Sequence, residues 1–172
     1  GSSAMHRLAE VKGAVELLLA ECYVRRDQVA VVAFRGRGAE LVLPPTRSLV
    51  RAKRSLAGLP GGGATPLAAG LALAHELAEQ LRRRGLAPAL VILTDGQANI
   101  ARDGSSGRAH AQDDAMLVAR LLRAAAFNTL LIDTALRPQP QARALAEAMR
   151  ARYLPLPYAD ARALVDAVQS AA

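Results

Sequence analysis

Residues 89–100, ALVILTDGQANI, constrain the fold more than any other stretch, because an apolar run of strand length stops on Thr94, Asp95 and Gly96. Val91, Ile92 and Leu93 read as a strand buried on both faces, the pattern of a parallel sheet covered by helices. Open sheets of that kind bind ligands just beyond the carboxyl ends of their strands, so an acid at that end is a site candidate by position alone. A second segment, LPGGGATPLAAGL at 59–71, matches it, with three glycines, then Thr65 and Pro66, then a helical pattern. The segment holds a hydroxyl at a helix start, with Pro66 suited to the first helical position.

The remainder alternates between strand and helix. Residues 5–23 predict an amphipathic helix with Leu8, Val11, Val15, Leu18, Leu19 and Cys22 on one side. QVAVVAF at 28–34 reads as a strand, and AELVLP at 39–44, closed by prolines, as its hairpin partner at a sheet edge. A short basic helix over 47–57 and a longer helix over 66–84 lead to the central strand at 89–94. The loop over 96–112 is rich in Gly, Ser, Asn and Asp and is expected to bury no face. Asp113 and Asp114 are expected to cap a helix over 113–126. NTLLIDT at 128–134 is a second buried strand ending on an acid, Asp133, and a helix at 140–150, a strand at 152–156 and a helix at 160–170 complete the pattern. This alternation predicts an α/β fold, a doubly wound and mostly parallel sheet with helices on both faces. At 172 residues the chain is expected to form one domain, 1–172.

Composition narrows the function classes. Aromatic residues make up 3% of the chain, too few for base stacking or an aromatic cleft. No apolar run reaches the roughly 18 residues of a membrane span and no export signal is evident, so a cytoplasmic protein without membrane insertion is expected. The single cysteine, Cys22, reads as a small core residue. The net charge of +7 is spread over several helices, and Arg82, Arg83 and Arg84 sit where cations complement a helix dipole. A solvated surface accounts for it, with an acidic protein partner the next reading and nucleic acid not expected.

Familiar catalytic patterns do not fit. The glycines before Thr65 are followed by no Lys, so they are not a P-loop. His6, His75 and His110 lack metal-ligand spacing, and there is no Gly-x-Ser-x-Gly elbow. Oxygen-ligand chemistry remains. Thr65 and Asp95 are hard donors, few in number, and suit Mg²⁺ better than zinc. An ion held by so few groups keeps an open position that a partner's carboxylate could fill.

Thr65 before the second long helix and the Thr94-Asp95-Gly96 strand end resemble the later two motifs of the metal-ion-dependent adhesion site of von Willebrand factor A domains, also called integrin I domains. The family's first motif, Asp-x-Ser-x-Ser, precedes its first helix. Gly1-Ser2-Ser3 resembles the tail of such a motif, with Ser2 matching its last serine, although a cloning junction leaves the same Gly-Ser. Together VKGAVELLLAECYVRRDQVAVVAFRG, LPGGGATPLAAGL, LTDGQANIARDG and LLIDTALRP resemble the integrin I-like domains of magnesium-chelatase D subunits over nearly the whole chain. The resemblance implies a scaffold in an ATP-driven, AAA+ multi-subunit enzyme inserting Mg²⁺ into protoporphyrin IX for (bacterio)chlorophyll. It implies docking to I and H subunits through an acidic residue that completes a Mg²⁺ site of Ser2, Thr65 and Asp95, with no catalytic residue in the domain itself. Cobalt chelatases and adhesion or MoxR-associated modules share these features and stay open as alternatives. The resemblance also implies that the first strand is absent from this chain, leaving two sheet edges unpaired and the metal site incomplete.

Overall fold

A computed structural model describes residues 2–58, 65–156 and 166, with the side chains of residues 2–8 outside that description. The order is α1 (Ser2–Val24), β1 (Val29–Arg35), β2 (Gly38–Thr46), α2 (Leu49–Ala57), α3 (Leu67–Arg83), β3 (Ala89–Thr94), α4 (Arg108–Ala125), β4 (Asn128–Asp133), α5 (Pro140–Met149) and β5 (Arg152–Pro155). The glycine run before Thr65 and, apart from Asp166, the helix expected over 160–170 lie outside the described residues.

Strands β3, β4 and β5 form a parallel sheet in that order, joined by α4 and α5. The register between β3 and β4 is unbroken from Ala89 opposite Asn128 to Thr94 opposite Asp133. Strands β1 and β2 form a separate antiparallel hairpin whose ladder is irregular around Val31. The expected doubly wound sheet is therefore divided in two, and among the described strands β1 and β3 each keep one edge without a partner. These are the two unpaired edges that the resemblance implied.

Alternation along the strands sorts the core into two faces. Leu90 and Ile92 of β3 and Leu131 of β4 pack with Leu67 and Leu71 of α3, Val118 and Leu122 of α4, and Leu145 and Met149 of α5. On the other face Val91, Leu93, Leu130 and Ile132 pack against Val11, Ala14 and Leu18 of α1. Each fully covered Leu or Ile contributes about 1.5–3 kcal/mol relative to exposure, so β4 is the energetic centre of this half. The hairpin has a smaller cluster of its own, in which Leu43 is joined by Leu19 of α1 and by Ala52 and Leu56 of α2. Two helices hold the halves together. Helix α1 contributes to both clusters, and α3 packs on β1, β2 and β3. At Gly70 of α3 a Cβ would come within 2.5 Å of the Phe34 ring, so the missing side chain is what lets β1 approach the helix.

Several expectations need correction. Strand β2 runs through both prolines to Thr46, as an edge strand with no ladder hydrogen bond to lose on its outer side. Pro66 is the residue before α3 rather than its first helical position. Helix α4 starts at Arg108, five residues earlier than the acids suggested, because Gly107 adopts φ 138° and turns the chain into the helix. Asp113 and Asp114 are thus inside α4 and cap nothing; Asp114 Oδ2 instead accepts the Arg102 amide at 2.7 Å. The 96–112 loop does bury a face, with Ala98, Ile100 and Ala101 all in the interior. Cys22 is half-buried rather than sealed in the core, and burial, then the nearby Asp27 carboxylate, push its thiol up from the ordinary range.

Candidate functional site

The carboxyl ends of β3 and β4 lie side by side, since Thr94 and Asp133 are register partners. The chain leaves β3 through two local hydrogen bonds: Thr94 Oγ1 accepts the Gly96 amide at 3.0 Å, and Asp95 Oδ1 accepts the Gln97 amide at 2.9 Å. Short polar side chains that bond the backbone two residues on make a turn without a ladder. Gly96 has φ 83°, and a Cβ there would sit 2.5 Å from the Ala142 nitrogen in the first turn of α5. Only glycine satisfies both demands, the left-handed backbone and the close approach.

Thr65 is tied to this loop through a residue that sequence reasoning missed. The Thr65 amide donates to Asn99 Oδ1 at 2.8 Å, and the Asn99 amide donates back to the Thr65 carbonyl at 3.3 Å. The Asn99 carbonyl also accepts the Gly107 amide at 3.0 Å. The clamp explains how a loop rich in turn residues still holds one shape, since its backbone groups are satisfied by Thr65 and by each other. A signal was present in the sequence: Asn99 stands between Ala98 and Ile100, whose burial anchors its backbone against the core.

The two hard donors are therefore on segments joined by reciprocal hydrogen bonds. Asp95 is half-buried, with Oδ1 used by the turn, while Oδ2 and the Thr65 hydroxyl have no hydrogen-bond partner among the described residues. Uncommitted carboxylate and hydroxyl oxygens are the donor type a hard cation prefers, so the residues present fit Mg²⁺. They supply at most two of its roughly six ligands, and water or another protein must supply the rest. Among the described residues no three His, Cys, Asp or Glu side chains converge. Ser2 begins α1, and its side chain lies outside the described residues, so the structure links the Thr65 and Asp95 segments through Asn99 and does not place Ser2.

Asp133, the other strand-end acid, is fully buried and already satisfied. Its Oδ1 accepts the Ala135 amide at 3.0 Å and its Oδ2 accepts the Tyr153 hydroxyl. Burial first, then the hydrogen bond to Asp133 and its charge, push the Tyr153 phenol up to about 12, while the Arg143 guanidinium lies 4.4 Å over its ring. Asp133 therefore fixes β4 to β5 and leaves Asp95 as the acid that faces outward.

The von Willebrand factor type A domain profile matches residues 1–97. The chain is 58% identical over 171 residues to the magnesium-chelatase 60 kDa subunit of Cereibacter sphaeroides, an alignment covering 99% of this chain and 31% of that protein. It is 48% identical to the corresponding subunit of Rhodobacter capsulatus, covering 99% and 30%, and 38% identical to the magnesium-chelatase 67 kDa subunit of Chlorobaculum tepidum, covering 99% and 29%. The chain thus spans about three tenths of the length of these relatives. Among solved structures, the conserved hypothetical protein BatB from Bacteroides thetaiotaomicron superposes with a TM-score of 0.68 at 14% identity, over 95% of this chain and 87% of that one, a likeness of fold alone. No helix among the described residues is long and apolar enough to cross a membrane. With an acid just past the end of the parallel strand β3, a threonine just before α3, and a profile match over more than half its length, the chain belongs to the von Willebrand factor type A domain family.

Proposed function

We propose that this domain is the docking and scaffold part of the D subunit of a cytoplasmic, ATP-driven magnesium chelatase, the machine that inserts Mg²⁺ into protoporphyrin IX on the way to (bacterio)chlorophyll. The observation that carries this reading is the 58% identity to a magnesium-chelatase subunit, sustained over 99% of the chain. Mg²⁺ inserted into the porphyrin is substrate; a second Mg²⁺, resident at the site, would be held by the Thr65 hydroxyl and Asp95 Oδ2, with Ser2 assigned by resemblance. When bound, that ion supplies a positive charge through which an acidic side chain of the I or H subunit is recognised.

The chain's own residues do the positioning. Asn99 holds Thr65 against the Asp95 loop, and the turn at Gln97 fixes which Asp95 oxygen points away from the backbone. Gly96 lets α5 brace that turn from below. None of these groups makes or breaks a bond, so the domain acts by assembly.

The test is competition. Added in excess to a reconstituted magnesium chelatase, the chain should displace the intact subunit from its partners and lower the rate of metalloporphyrin formation. Asp95→Ala and Thr65→Ala forms should compete several-fold less well, with unchanged circular dichroism. A rate left untouched by a folded wild-type chain in large excess would sink the docking role.

A further inference from the structure

A second candidate surface lies at the opposite end of the parallel sheet. Strand β4 runs from Asn128 to Asp133, so its two ends are separated by roughly 17 Å at about 3.3 Å per residue. At the Asn128 end a cavity of about 300 Å³ is lined by Arg123, Phe127, Asn128, Thr129, Arg150 and Arg152. Its three arginines come from three elements: the last turn of α4, the cap of α5 and the first residue of β5.

Their charge is uncommitted. No carboxylate lies within 4.0 Å of Arg123, Arg150 or Arg152 among the described residues. The ordinary role of arginine at such a place is to complement the carboxyl ends of α4 and α5. Each helix end amounts to roughly half a negative charge, so two ends offset only one of the three guanidinium charges. Caps reduce the demand further, because the Ala126 amide donates to the Leu122 and Arg123 carbonyls and the Arg150 amide to those of Ala146 and Glu147. Ala126 and Arg150 both hold left-handed backbone, φ 60° and 56°, where non-glycine residues are disfavoured. Left-handed residues are a common way for helices to end, and here they are the caps of α4 and α5.

The shape indicates what the charge receives. Strand β5 joins β4 only from Leu130 onward, where Arg152 is its partner, so the exposed Asn128 extends past β5 with Thr129 buried behind it. The exposed Asn128 backbone at this strand end is accessible to an extended peptide, which binds such groups by hydrogen bonds. The floor is apolar, with Met149 and Phe127 buried, and suits a side chain between charged ones. Nucleic acid fits poorly, since the Phe127 ring is covered by the Arg82 guanidinium at 4.2 Å from its centroid and offers no face for stacking a base. The geometry points to a docking site for an acidic, extended peptide segment, whose carboxylates meet Arg123, Arg150 and Arg152 while its backbone passes the exposed Asn128 at the start of β4.

A fluorescein-labelled peptide alternating Glu with Leu, titrated into the 172-residue chain at physiological ionic strength, tests this. Arg123→Glu with Arg152→Glu should weaken binding by about tenfold or more, whereas the same charge change at Arg51→Glu with Arg54→Glu, on α2, should cost no more than about twofold. In the unmodified chain, the amide ¹⁵N shifts of Asn128 and Thr129 should move on titration, which keeps the test valid if a variant misfolds. Asp95→Ala should bind the peptide as the wild type does, separating this surface from the proposed metal site. Equal losses from the two arginine pairs, shift changes confined to other residues, or tighter binding of a labelled oligonucleotide would each overturn the assignment. So would inorganic phosphate moving the same amides at the concentrations at which the peptide does.

Discussion

Strands β4 and β1 carry the same kind of apolar side chain, yet every residue of β4 after Asn128 is buried and no residue of β1 is. The difference comes from neighbours. Strand β4 has a partner on each edge and helices over both faces, whereas β1 has β2 on one edge only. An apolar run records the burial a strand is suited to, and the burial it obtains depends on which strands lie beside it. The two halves of this domain should therefore respond differently to damage, the parallel half as a unit and the hairpin by itself.

The sharpest way to break that contrast is Gly96→Ala. A methyl group 2.5 Å from α5 backbone, on a left-handed residue, cannot be accommodated by a rotamer change. It should destabilise the domain by about 3 kcal/mol or more, read as one cooperative shift in a urea melt. A small loss, or loss of the hairpin alone, would show that the parallel half is not a single unit.

Tyr153→Phe should have the next largest effect, about 1–3 kcal/mol, because it leaves Asp133 Oδ2 buried without its donor. The sign with pH follows from the phenol. The folded state holds the Tyr153 proton up to about 12, while an unfolded tyrosine releases it near about 10. The wild type's advantage is thus complete below about pH 10 and fades as the pH rises from there towards 12. Parallel melts of the two forms across that window measure it, and an advantage that stayed constant would mean the hydroxyl is not what holds β5.

Gly70→Ala should be the mildest by global stability and the most informative about the seam. The new methyl must displace Phe34 of β1 from its Cβ outward, an overpacking cost of about 1–3 kcal/mol that the roughly 1 kcal/mol of helix propensity regained by alanine inside α3 partly offsets, so the net loss of stability should be about 1 kcal/mol. Hydrogen exchange should show the cost locally, with β1 amides near Val32 losing about tenfold in protection while β4 amides stay unchanged. Equal loss in both strands would erase the distinction between the halves.

The parallel half was legible because its signals are local and agree. The apolar run of β3 ends where the strand ends, and the positions of Thr65 and Asp95 were readable from a glycine-rich helix start and a strand terminus. The start of α4 was misread because Asp113 and Asp114 are good capping residues, and their type outweighed the turn that Gly107 permits. Asn99 went unnoticed for a different reason. Its role is a hydrogen bond to a residue 34 positions away, and nothing in the composition of a loop reports such a partner. Burial of the loop was missed likewise, since Ala98 and Ala101 are too small to mark a face until the helices above them are placed.

The paired hydrogen bonds between Thr65 and Asn99 have an evolutionary consequence. Because the bonds run both ways, Thr65 at the entry to α3 and the loop after β3 have a common position, and neither segment can be relocated alone. A substitution that improves the place of Asp95 is screened at once for what it does to Thr65, and the reverse. Selection thus acts on the two segments as one inherited character, and change at this end of the molecule should come as correlated pairs or arrive at the rim, where side chains such as Gln97 are exposed and answer to no one else.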